Sequence, residues 1–133
     1  MTKFLSPEWF QMVESLTAAA QGLDIPKAMK DVVVNLTVAG PDGEVQMRMD
    51  RGLIRAGHAA QADVLMRMPA DYALRILVAG DWSVGMKGYI ARKITLSGNM
   101  RKLIPLQVFK PTPSQEALRR QVEQATEPPG EQA

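Results

Sequence analysis

Side chains able to carry acid–base, nucleophilic or metal chemistry are scarce in this 133-residue chain. It has no cysteine, which excludes disulfides and thiolate metal sites, and its one histidine leaves little for a histidine-based metal centre. That residue, His58, stands in a Gly-Ala loop with Asp63 five positions on, and together with Asp50 these are the groups that could act as acid or base. Neither Ser83 nor Ser97 has the strand–turn–helix elbow of a hydrolase nucleophile. Gly80-Asp81-Trp82-Ser83-Val84-Gly85-Met86-Lys87 approaches a phosphate loop, but Met86 separates Gly85 from the lysine and Gly88 stands where a Ser or Thr should follow. A solvent-exposed loop is the expectation for His58, and no catalytic residue, cofactor or metal is assigned. Asn35-Leu36-Thr37 is a formal glycosylation sequon inside an expected strand and should be unmodified.

What the chain holds in quantity is methionine, nine in all. Met47, Met49, Met66 and Met68 fall on the apolar faces of expected strands, and Met86 and Met100 on expected helices. Thioether side chains are flexible and polarizable, so they suit either an ordinary irregular core or a surface that wraps an apolar ligand.

The elements that must position these residues follow from periodicity. Ser6-Pro7-Glu8 supplies a cap, a first-turn proline and a favourable charge for a helix whose stripe is Trp9, Met12, Val13, Leu16 and Ala20, ending by Gly22. Residues 32–38 alternate, with Val32, Val34, Leu36 and Val38 on one face and Val33, Asn35 and Thr37 on the other. Gly40-Pro41-Asp42-Gly43 turns the chain into a second strand over 45–49, and residues 53–56 make a third. After a loop over 57–61, residues 63–68 alternate again. A helix from Pro69 to Gly80 and a second over 82–91 follow, the latter with Trp82, Met86, Tyr89 and Ile90 along one side. A short strand over 94–97 and a helical pattern over 100–109, interrupted by Pro105, complete the core. Every strand offers one apolar and one polar face, which predicts a two-layer α+β domain: about five strands, mixed or antiparallel, with helices on one side and the other side wet. Residues 1–110 form this domain. Residues 111–133 are expected to be a charged, Pro-containing tail with a marginal helix over 114–124 and disorder from Thr126 on.

Net charge is only +2, but from 82 to 115 the chain carries Lys87, Arg92, Lys93, Arg101, Lys102 and Lys110 with no acid. So small a net charge argues against nucleic-acid binding. There is no long apolar run of membrane-spanning length and no signal-peptide pattern, so a cytoplasmic location is the expectation.

The segment order and local sequence resemble the sterol carrier protein family of small lipid-transfer domains. The matching pieces are the Asp42-Gly43 hairpin, Ala62-Asp63-Val64-Leu65-Met66-Arg67-Met68, the helix Asp71-Tyr72-Ala73-Leu74-Arg75-Ile76-Leu77, Gly80-Asp81, and the run from Met86 through Gly98-Asn99-Met100 to Leu103. The likeness covers roughly residues 16–106. It implies a five-stranded sheet and helices enclosing a tunnel for a fatty acid, acyl thioester, phospholipid, isoprenoid quinone precursor or sterol-like molecule. Mapped to this chain, the tunnel would be lined by Met66, Met68, Ile76, Leu77, Trp82, Met86, Ile90, Met100, Leu103 and Ile104. Pro105 departs from the pattern, because the family's last helix runs on and gates the tunnel.

A carrier of this kind must dock to unload. The acid-free stretch, through Lys87, Arg92, Lys93, Arg101 and Lys102, is expected to face an anionic membrane or a partner enzyme. The alternative is a small isomerase or hydrolase that uses the same cavity with Asp50, Asp63 or His58 as acid or base.

Overall fold

The computed structural model describes residues 2–20, 22–81, 83–102 and 111–127. A two-residue strand β1 (Thr2–Lys3) leads into helix α1 (Pro7–Ala19). Ser6 caps α1 as its sequence demands, its hydroxyl accepting the Trp9 N–H at 3.1 Å. The helix buries Trp9, Phe10 and Val13, and Trp9 is met edge-on by Phe4 and Phe10 at centroid distances of 5.0 and 5.1 Å. A one-turn helix α2 (Lys27–Lys30) precedes the sheet.

Five strands form that sheet in the order β4-β3-β2-β5-β6: β2 (Val33–Gly40), β3 (Gly43–Asp50), β4 (Leu53–Ala56), β5 (Val64–Pro69) and β6 (Thr95–Gly98). β2 is central, antiparallel to β3 and parallel to β5, so the sheet is mixed. The register brings the alternating apolar residues together. Leu36 lies between Met47 and Met66, and Val38 between Val45 and Met68. Val34, Leu36, Val38, Met47, Val64 and Met68 are buried beneath the helices. The α+β fold and the helix-covered apolar face are therefore as expected.

The opposite face is not uniformly wet. Reaching the parallel β5 from the edge strand β4 obliges residues 57–62 to cross β3 and β2, and they do so as a strap on the polar face. The Asn35 side chain holds the strap at both ends of one residue, accepting the Ala59 N–H at 2.8 Å and donating to the Ala59 carbonyl at 3.1 Å. His58 Nε2 lies 2.9 Å from the Leu36 carbonyl oxygen. Asn35 is consequently buried with both ends of its amide satisfied.

On the helical side, α3 (Ala70–Ala73) widens into a π-helical turn (Leu74–Val78) that buries Ile76 and Val78. Helix α4 (Ser83–Ile90) packs by its small residues: a Cβ on Gly88 would stand 2.6 Å from the Tyr72 ring and 2.7 Å from the Ile94 side chain. Because the glycine edge of α4 faces inward, Met86, Tyr89 and Ile90 face out. This corrects the expectation that Met86 and Ile90 line the interior.

In the C-terminal region the helix expected over 114–124 is present. Helix α5 (Pro113–Gln124) is a capped, docked element: Thr112 and Gln115 form a reciprocal capping box, and Val122 is buried. The disorder expected from Thr126 on does not hold at 126 and 127, and residues 128–133 lie outside the described residues. Thr126 and Glu127 form strand β7, paired in parallel with β1, and the buried Trp9 Nε1–H donates to Thr126 Oγ1 at 2.8 Å.

Candidate functional site

The helices leave an apolar cleft of about 100 Å³ where α1, the β3–β4 hairpin end and α5 converge. α1 contributes Val13, β3 and β4 contribute Met49 and Ile54, the π-helical turn contributes Leu77, and α5 contributes Leu118 and Val122. Each is placed by its element's period. Met49 and Ile54 are direct cross-strand partners, and Leu118 and Val122 lie one helical turn apart on α5.

Arg119, next to Leu118, holds the polar rim of the cleft. It donates to the Val78 carbonyl at 2.6 Å, to Glu123 at 2.9 Å and, through two nitrogens, to Glu116 at 2.7–3.1 Å. The Val78 carbonyl lies at the C-terminal end of the π-helical turn, where the negative end of the helix dipole favours a cation. Gly80 makes room for this clamp: its φ is +75°, and a Cβ there would meet Arg119 Cδ and Nε at 2.8 Å. The charged hydrogen bond from Arg119 holds the Glu116 carboxyl below the usual carboxylate range. With Glu116 and Glu123 on Arg119, and Arg120 also reaching Glu116, the rim is a balanced ion cluster rather than a bare cation.

The residues singled out as tunnel walls are divided by the structure. Leu77 lines the cleft. Met68 and Ile76 are buried, and Met66 is half-buried against the same core. Met86, Ile90 and Met100 are exposed. Trp82, Leu103, Ile104 and the Pro105 kink lie outside the described residues. Among the bases expected to dock, Lys87, Arg92, Lys93 and Arg101 are exposed. Lys102 is instead a tie within the fold, 3.1 Å from Asp63 and donating to the Asp31 carbonyl at 2.8 Å.

The potential acids and bases stand away from the cleft walls. Asp63 accepts the Val33 N–H at 2.8 Å, and this hydrogen bond, with Lys102 beside it, holds its carboxyl below the ordinary value. Asp50 pairs with Arg48 at 3.2 Å. His58 is part of the strap and is half-buried on the outer face of the sheet. Sequence reasoning missed α5 as a wall. Its signal was there: Gln115, Leu118, Arg119 and Val122 repeat at helical spacing within a segment dominated by charge.

No protein-family model matches the chain, and no curated protein matches it. Solved structures do. Sterol carrier protein 2 like 2 from Aedes aegypti superposes with a TM-score of 0.52 at 22% identity, covering 77% of this chain and 97% of that one. Sterol carrier protein 2 from Yarrowia lipolytica gives 0.51 at 15% identity, covering 76% and 92%. A structure described as UbiJ-SCP2, a ubiquinone synthesis protein, gives 0.50 at 12% identity, covering 87% and 96%. These superpositions show that the chain has the sterol carrier protein fold.

Proposed function

We propose that this protein binds a lipid-like ligand between its sheet and its helices and carries it to, or presents it at, membranes or partner enzymes. The carrying observation is the apolar cleft under α5 in a fold shared with sterol carrier proteins. Fatty acids, acyl thioesters, phospholipids, isoprenoid quinone precursors and sterol-like molecules all present the apolar chain or ring that such walls accept. About ten methylenes buried in this layer, at about 0.8 kcal/mol each, would make escape into water slow. Unloading would then need a docking step. Among the described residues no helix is long and apolar enough to cross a membrane.

At about 100 Å³ the cleft is smaller than the roughly 300–1,000 Å³ of a typical ligand pocket, so a full-length lipid requires α5 to move outward. The isomerase or hydrolase reading is less well supported, because Asp50, Asp63 and His58 are engaged elsewhere and none is among the cleft walls. Native mass spectrometry of the purified chain, followed by titration of the delipidated protein with a fluorescent fatty acid, tests the proposal. Co-purified lipid or saturable one-to-one binding is expected. Neither lipid nor saturable binding would overturn it.

A further inference from the structure

Helix α4 is packed the opposite way round from an ordinary surface helix. Its attachment is made by Val84, by Gly88 against Tyr72 and Ile94, and by Gly85, whose Cβ would sit 3.6 Å from Ile76. Its large apolar side chains point away: Ile90 is 72% exposed, Tyr89 52% and Met86 47%. At spacing i, i+3 and i+4 these three share one face. A stripe of that size turned to water on a helix of eight residues, with glycines beneath it, is not explained by the fold's own packing.

Charge identifies what covers it. Lys87 lies within the same helix, Arg92 and Lys93 follow it, and the chain from Ser83 to Lys102 contains no acid. The turn after α4 fixes the position of these bases. Arg92 takes a left-handed φ of 62°, and the N–H groups of Lys93 and Ile94 both donate to the Gly88 carbonyl at 2.8 and 3.1 Å. Exposed apolar side chains, a tyrosine among them, with Lys87 on the same helix and Arg92 and Lys93 just beyond it, match the interface of a bilayer, where an aromatic ring sits at headgroup level and bases meet anionic phosphates.

We infer that the outward face of α4, Met86, Tyr89 and Ile90 rimmed by Lys87, Arg92 and Lys93, is the surface by which the protein docks on an anionic membrane. This deepens the carrier reading and rests on it for its purpose, but it is a property of α4 and not of the cleft.

Co-sedimentation of the full chain with vesicles of phosphatidylcholine alone, or with about a third phosphatidylserine, tests it. The wild type should bind the anionic vesicles at least about tenfold more tightly than the neutral ones, and binding should weaken with salt. Met86→Ser/Ile90→Ser and, separately, Lys87→Glu/Lys93→Glu should each lower binding to anionic vesicles by about tenfold or more. Uptake of a fluorescent fatty acid by both variants should stay at the wild-type level, which separates failure of docking from failure of the carrier reading. Equal binding to both vesicle types, or wild-type binding by either variant, would overturn the inference. So would wild-type self-association abolished by Met86→Ser/Ile90→Ser, which would give the face to a second copy. Protection of Met86 from peroxide oxidation in vesicle-free monomer would show that the face is already covered within the chain and overturn it as well.

Discussion

Two side chains set the reach of single residues in this fold. Thr126 closes the chain's two ends: it accepts from the buried Trp9 indole and its own hydroxyl donates to the Val122 carbonyl. Thr126→Val keeps the shape but strands the indole N–H and should cost about 1–3 kcal/mol, read as a lowered denaturant midpoint at unchanged slope. An unchanged midpoint would show that the indole finds another partner. Asp63 works through charge. Its folded pKa is depressed by the Val33 N–H and by Lys102, so its stabilisation is present above the unfolded value of about 3.9 and is lost as pH falls through the lower folded value. Asp63→Asn should therefore be about 1 kcal/mol less stable than wild type at pH 7 and converge with it once pH has fallen below the folded value. A constant difference across that range would remove the linkage. Neither role was legible in the sequence. Thr126 is an ordinary residue in a polar tail until Trp9 is seen beside it, 117 positions away in sequence, and Asp63 reads equally well as an acid in a loop.

At the scale of elements, the strands were legible because one face of each is buried. Alternation over 32–38, 45–49 and 63–68 fixes which side chains point inward, and a register slip would expose the whole set. The helices were less so. In α4 the apolar stripe was read correctly as a stripe and assigned to the wrong side, because periodicity shows that a face exists but not which neighbour takes it. Glycine at 85 and 88 decided that. In α5 a high charge content concealed the spacing of Leu118 and Val122, and those charges are spent largely on one another, Arg119 and Arg120 both reaching Glu116. The Arg119 clamp on Val78 is the element-scale prediction: Arg119→Met should loosen α5 and speed uptake of a fluorescent acyl probe several-fold in stopped-flow mixing. It should also lower stability by about 1–2 kcal/mol, through lost charged hydrogen bonds on a largely buried side chain. Slower or unchanged uptake would separate α5 from ligand entry.

Taken whole, the molecule places its apolar cleft and its outward apolar helix face on different elements, with the sheet and its Asn35-held strap behind them. The fold class could be read from segment order, since a meander, a crossing strand and two short helices leave few ways to cover one sheet face. The site could not, because the cleft takes its walls from residues as far apart as Val13 and Val122 and only packing brings them together. The central claim is that an apolar ligand enters beneath α5, against Ile54 and Leu77, and not beneath α4. Binding of a fluorescent fatty acid to Ile54→Trp, which fills the cleft, measured beside Met86→Ser/Ile90→Ser with the melting temperature of each, tests that directly. Ile54→Trp should lose affinity by at least about tenfold, consistent with the roughly 1–3 kcal/mol cost of overpacking a closed apolar site, while the α4 variant should bind as wild type. Wild-type affinity in a folded Ile54→Trp, with binding lost from the α4 variant, would contradict it.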